Sequence, residues 1–292
     1  MMKLDTSVTI AGVCFKNPVI AASGTFGFGD EYQSIVDPSL LGGICTKALT
    51  LRPRAGNKGI RIHETAAGLL NSIGLENPGI AWFLQDKLPA LKNRGTVIIA
   101  NLAGADVDEY VYGAALLSDS DVDMVELNIS CPNVKSGGLS FGLDPEPAAA
   151  LTRAVRAVCK KPLIVKISPN APSPNAVALA CINAGADCIS LVNTFKAMAI
   201  DIHTGAPVFE NITAGLSGPA IKPIALRMVW ELCEILKQKS INVPVIGIGG
   251  IASAQDAKEF LIAGACAVQA GTATLSSPRA MLEIISGLET LD

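Results

Sequence analysis

One thiol, two lysines and several asparagines stand at the ends of apolar runs, where a folded chain can present chemistry. The thiol is Cys131, within MVELNISCPNVKSGGLSFGLDPE over 124–146. Val125, Leu127 and Ile129 alternate with Glu126, Asn128 and Ser130, a period of two that predicts a strand with the polar trio on one face. Pro132 cannot continue a sheet ladder and restricts its neighbour, so the thiol falls at a forced change of direction. Gly137, Gly138 and Gly142 make the next segment pliable. A pliable loop carrying a thiol can close over a bound molecule and exclude water during proton transfer. The plainer alternative is a buried cysteine in a turn, since free thiols are usually core residues.

Lys166 lies in LIVKIS with apolar residues on both sides, which sends its ammonium into or over the interior. A lone buried cation is costly. Two readings compete: a pair with Glu126 on an adjacent strand, or a cation opposite negative charge developing on a bound ring. Lys47 ends another apolar run and suits a carboxylate or cofactor edge, or is an ordinary solvated lysine. Asn128 and Asn193 each offer donor and acceptor together, as recognition of an amide-edged ring requires, although asparagine also serves turns.

VPVIGIGGIAS at 243–253 matches G-x-G-x-x-A between a strand and a helix, the weak form of the dinucleotide fingerprint. About twenty residues further on, where a dinucleotide site needs an acid, there is none. Gly249-Gly250 and Gly271-Thr272 instead follow the last two apolar runs, as phosphate-binding turns do after strands seven and eight of a barrel. Close packing of helix on strand is the other use of such glycines.

Elements must position these groups. Eight short apolar runs recur, at Val19–Ala22, Gly43–Thr46, Val97–Ala100, Met124–Leu127, Leu163–Val165, Cys188–Leu191, Val243–Ile248 and Ala267–Ala270. They read as buried parallel strands, and the amphipathic stretches between them predict covering helices. Asp144 is placed as a helix cap before Pro145, Ser173-Pro174 opens another helix, and Ser253 with Asp256 forms a capping box. The longest helix starts after Gly218-Pro219. Each strand ends in a polar residue or glycine, and a (β/α)₈ TIM barrel would gather all eight endings at one mouth. Two connections, 48–77 and 194–218, are long enough to carry small extra strands over that mouth. Residues 1–18 read as a hairpin plugging the opposite end, and 1–292 as one barrel domain.

Composition narrows the partners. With 23 Lys+Arg against 26 Asp+Glu the net charge is -3, without a basic run, which argues against nucleic acid and anionic membranes. The eight cysteines contain no C-x-x-C pair, and the two histidines lack metal-ligand neighbours, so reduced thiols and no metal site are expected. No run of about 18 apolar residues occurs, and the start lacks a signal-peptide core. The expected location is the cytoplasm.

Several ordered motifs, ASGTFGFGDEY (22–32), TKALTLRPR (46–54), NSIGLENPG (71–79), ELNISCPN (126–133), VKISPN (165–170), SLVNTFKAMAID (190–201), GLSGPAIKPIALRMVWE (215–231) and GIGGI (247–251), resemble the dihydroorotate dehydrogenase family over the whole chain. The pattern is most similar to the class 1B catalytic subunit. That resemblance implies FMN in a (β/α)₈ barrel, contacted by Ser23, Lys47, Ala48, Asn101, Asn128, Lys166, Val192, Gly218, Gly249, Gly250, Gly271 and Thr272. It implies substrate contacts at Lys47, Asn71, Ser72, Ile73, Gly74, Leu75, Asn128, Asn193 and Thr194, with Cys131 as catalytic base. The reaction implied is oxidation of (S)-dihydroorotate to orotate in pyrimidine biosynthesis. Electrons would pass to NAD through a partner subunit carrying FAD and [2Fe–2S], in a heterotetramer of two catalytic and two electron-transfer chains. A class 1A enzyme passing electrons to fumarate is an alternative. So, further off, are a phosphate-binding barrel isomerase or aldolase and a non-catalytic binding subunit. Two departures from the family pattern are Ala214-Gly215 for a double glycine and Thr274 for asparagine.

Overall fold

In the computed structural model, which describes residues 5–130 and 141–290, all eight apolar runs are strands. In chain order the strands are β1 (Val8–Ile10), β2 (Val13–Phe15), β3 (Val19–Ala21), β4 (Gly43–Cys45), β5 (Ile62–Thr65), β6 (Gly68–Asn71) and β7 (Val97–Leu102). There follow β8 (Met124–Asn128), β9 (Leu163–Lys166), β10 (Cys188–Leu191), β11 (Phe195–Ala197), β12 (Ala214–Ser217), β13 (Val245–Ile248) and β14 (Ala267–Ala270). Strands β3, β4, β7, β8, β9, β10, β13 and β14 close into a parallel barrel in that order, β14 pairing back onto β3. Their apolar runs are continuous because they are buried on both faces, by helices outside and by the barrel's own filling inside.

Helices cover the outside at Val107–Ser118, Pro145–Val158, Pro174–Asn183, Lys222–Gln238, Ala254–Ile262 and Ala280–Leu288, with a further helical run over 80–92. After β3 the helix of the repeat is reduced to a short 3₁₀ turn, Pro38–Leu40. Gly24, Gly27 and Gly29 all adopt positive φ in the segment before it, a conformation that a right-handed helix does not use. The Ser253–Asp256 capping box is present. Asp144 does occupy its N-cap, yet its side chain makes no capping bond. The third helical position there is Pro147, which has no N–H to donate.

The two ends of the barrel are built differently. Strands β1 and β2 pair as an antiparallel hairpin, and Ile10 and Phe15 are fully buried against Ile20, Ile99, Met124, Ile164 and Ile246 inside the barrel floor. Over the other end lies a four-stranded sheet in the order β11-β12-β6-β5, drawn from both long connections. Leu70, Phe209 and Ala214 form a small core of their own within it. The Ala214 methyl is buried there, which accounts for alanine at a glycine position, whereas a side chain at Gly215 would meet the Thr194 hydroxyl at 2.2 Å. Among the described residues no helix is long and apolar enough to cross a membrane.

Candidate active site

The barrel interior is filled in layers, because side chains at i and i+2 of each strand both point inward. On five strands the lower inward residue is apolar or a thiol and the next is polar: Ile99 then Asn101, Met124 then Glu126, Ile164 then Lys166, Cys188 then Ser190, Ala267 then Gln269. The polar layer converges on Glu126, whose side chain has no exposure. Its Oε1 accepts from Asn101 Nδ2 at 2.7 Å and from Cys45 Sγ at 3.2 Å. Its Oε2 accepts from Gln269 Nε2 at 2.8 Å and Ser190 Oγ at 2.9 Å. Lys166 Nζ stands 3.6 Å from Oε1 with 6 % of its side chain exposed. Burial pushes the Glu126 carboxyl up, but the Lys166 charge and the bonds from Cys45, Gln269 and Ser190 outweigh it and hold the pKa below the ordinary carboxylate value. The Cys45 thiol is driven the other way, well above its ordinary range, by burial and the adjacent Glu126 charge. The ion pair weighed for Lys166 is therefore present, and Lys166 also lines the cavity above it.

That cavity opens between the barrel mouth and the four-stranded sheet. Ser23, Lys166, Val192 and Gln269 line it from the barrel, and Gly218, Gly249, Gly250, Gly271 and Thr272 from the turns at the mouth. Asn71 and Ile73 reach it from the overlying segment, and Asn193 and Thr194 from the end of β10. Asn128 and Asn193 stand together: Asn193 Nδ2 donates to Asn128 Oδ1 at 3.2 Å, and Tyr110 donates to the Asn128 carbonyl at 2.7 Å. Asn193 Oδ1 in turn accepts from the Thr194 amide at 2.9 Å.

Other expected contacts are not among the residues that line the cavity. Lys47 lies 3.6 Å from Glu76, which also pairs with Arg61 at 2.8 Å. Ala48 is buried beside it. Asn57 holds Ser72 through its amide, at 3.1 Å from the Ser72 carbonyl, and packs against Gly74. Leu75 takes a positive φ and its carbonyl accepts from Asn77. Asn101 is wholly buried in the Glu126 layer. Cys131 lies outside the described residues.

The glycine turns are closely packed, and they also line the cavity. A Cβ at Gly250, whose φ is +69°, would sit 2.7 Å from the Gly218 carbonyl oxygen and 2.8 Å from Lys222 Cβ, so the turn must be bare to pack. The same turn lines the cavity. Just before the following helix, Asp256 Oδ2 accepts from the amides of Ala252 and Ser253 at 3.0 and 2.9 Å. An anion would meet the earlier turn amides, next to Thr272. Thr274, the second departure from the family pattern, donates to the Gly271 carbonyl at 2.8 Å and so braces the other turn.

Sequence reasoning found the lysine and the glycine turns but missed Gln269, Ser190 and Cys45 as members of one layer. The apolar-to-polar step at i and i+2, repeated on successive strands, was the signal that could have found them.

A family model described as dihydroorotate dehydrogenase matches residues 5–291. A protein of Petrotoga mobilis, named the catalytic subunit of dihydroorotate dehydrogenase B (NAD(+)), is 58% identical over 98% of this chain and 94% of its own length. Proteins of the same name from Caldicellulosiruptor bescii and Geotalea uraniireducens are each 51% identical, covering 98% and 99% of this chain and 93% and 94% of their own. This chain belongs to the dihydroorotate dehydrogenase family.

Proposed function

We propose that the protein oxidises (S)-dihydroorotate to orotate in pyrimidine biosynthesis, as the catalytic subunit of a class 1B, NAD-linked enzyme. The observation that carries this reading is a cavity at the barrel mouth, with buried Lys166 in its lining and the Asn128–Asn193 amide pair beside it, in a chain of this family.

The residues present fit FMN. Gly249-Gly250 and Gly271-Thr272 give two turns for its phosphate. Ser23, Val192 and Gly218 line the same space, Ala48 and Asn101 are assigned to the cofactor by the family resemblance, and Lys166 would supply a cation to a reduced ring. When bound, FMN supplies a two-electron acceptor for the hydride leaving the substrate. The chain's own work is to bind, orient and move a proton. Asn71, Asn128, Asn193 and Thr194 hold the pyrimidine through its amide edges, helped by the 72–75 segment, and Lys47 neutralises its carboxylate. Positioning of this kind contributes several kcal/mol, on the order of that measured for well-oriented reactants. Cys131, three residues after β8 in the sequence and outside the described residues, takes the proton from the ring carbon next to the carbonyl. A thiol, with an ordinary pKa near ~8.5, suits a base working around neutral pH.

The names of the relatives, catalytic subunits of NAD(+)-dependent enzymes, support a partner chain. In this reading the partner carries FAD and [2Fe–2S], two copies of each chain form a heterotetramer, and the assembly works in the cytoplasm. The whole of 1–292 serves as one FMN-binding barrel.

The direct test is a visible spectrum of the purified chain reconstituted with FMN: anaerobic dihydroorotate bleaches the flavin bands. A flavin left oxidised by excess dihydroorotate overturns the assignment. Cys131→Ser should keep the flavin spectrum and slow that bleaching by about 10²–10⁴-fold at neutral pH, the usual contribution of a general base. Stopped-flow rates equal to wild type would remove Cys131 from the proton transfer.

A further inference from the structure

Two buried acceptors in the barrel lack a partner among the described residues, Asn101 Oδ1 and Gln269 Oε1. Both side chains are at most 1% exposed. A buried polar atom without a hydrogen bond is destabilising, and such atoms are rare in native folds. The cause here is chemical. Glu126 is charged and can only accept, so each neighbouring amide must turn its NH₂ toward it, at 2.7 Å for Asn101 and 2.8 Å for Gln269. A planar amide with its nitrogen committed has its oxygen directed elsewhere, and a flip would set a carbonyl against the carboxylate. The other donors of the layer do not relieve the shortage, because Ser190 and Cys45 are also spent on Glu126. Gln269 lines the cavity. The missing donor has to come from an ordered water or a bound molecule, and the cavity gives a bound molecule access to Gln269.

We propose that Gln269 is a cofactor-binding residue whose side-chain carbonyl accepts a hydrogen bond from a hydroxyl of the cofactor's polyol chain. Glu126 touches no part of the cofactor and is the positioning residue that orients both amides. This inference rests on the reading of the cavity as an FMN site, where the ribityl chain joins ring to phosphate and carries hydroxyl donors. It accounts for a buried carboxylate with five partners on five other strands, far more than Lys166 alone needs. It also separates two jobs: Lys166 would supply charge, and the Gln269 amide an acceptor.

The test uses apo-protein titrated with FMN and with its 2′-, 3′- and 4′-deoxy analogues, each read by flavin fluorescence and needing no turnover. Wild type should bind at least one deoxy analogue about tenfold more weakly than FMN, the loss expected when a buried acceptor goes unmet. Gln269→Met, similar in length and without an acceptor amide, should bind FMN and that analogue equally. Glu126→Gln, which can donate as well as accept, frees the neighbouring amides to turn and should shrink the same discrimination. Glu126→Asp should restore part of it. Equal binding of FMN and all three analogues by wild type overturns the proposal without any variant, and so does undiminished discrimination by Gln269→Met. Failure of wild type to bind FMN at all would instead overturn the flavin reading itself.

Discussion

The lower and upper layers of the barrel interior differ by one step of two residues along the same strands, yet they do opposite work. On β9, Ile164 and Lys166 are both inward and both buried. Ile164 joins a cluster sealed from below by Ile10 and Phe15, where contact is non-directional and neighbours of similar volume would serve. Lys166 belongs to a network in which both oxygens of Glu126 have assigned donors and charges must balance. The comparison teaches where stability and chemistry reside in this fold: the floor tolerates substitution by shape, and the layer above tolerates almost none.

Three measurements sharpen that contrast. Lys166→Met keeps much of the side chain's shape but leaves Glu126 a buried charge without its counter-ion, so unfolding in urea should show a loss of about 3–5 kcal/mol. A loss below about 1 kcal/mol would mean that the neutral donors suffice and that the two layers differ less than their chemistry suggests. Acid gives a smaller effect. Because the folded carboxyl of Glu126 is held below its ordinary value, its contribution is whole above the unfolded pKa near ~4.3 and is lost as pH falls from there through the folded value. Wild type should lose more stability between pH 6 and pH 3, taken as rough bounds about that pKa, than Glu126→Gln does, and equal losses would remove Glu126 as a source of acid sensitivity. The smallest effect belongs to the floor. Ile164→Val should cost about 0.5–1.5 kcal/mol and leave flavin affinity unchanged; a change in FMN binding would show that the layers are mechanically coupled.

The barrel was legible because each of its parts repeats. Eight apolar runs with polar endings, the hairpin at 1–18 and the strands in both long connections all follow from local patterns, and all are present. The Ser253–Asp256 box was likewise local, as both partners sit within one turn. The Glu126 layer was not, because its bonds span 25, 64, 81 and 143 residues and depend on the closure of a cylinder. Reading Lys166 against Glu126 succeeded since β8 and β9 are consecutive neighbours. Asp144 failed as a side-chain cap for a reason visible in the sequence, Pro147 three residues on. The assignment of Lys47 to a ligand contact meets Glu76 in the structure, a carboxylate that substrate would have to displace or join.

Barrel closure has a bearing on how the chain is made. Strand β14 sits between β13 and β3, so the first barrel strand finds its second neighbour only when residues 267–270 have been synthesised. At about 5–20 residues per second on the ribosome, β3 and the growing front of the sheet remain open edges for nearly the whole of translation, and open edges invite pairing with other chains. Any stop or cut before β14 leaves both edges permanently exposed, so truncated chains of this protein are expected to collect in the aggregated fraction rather than as partly active barrels.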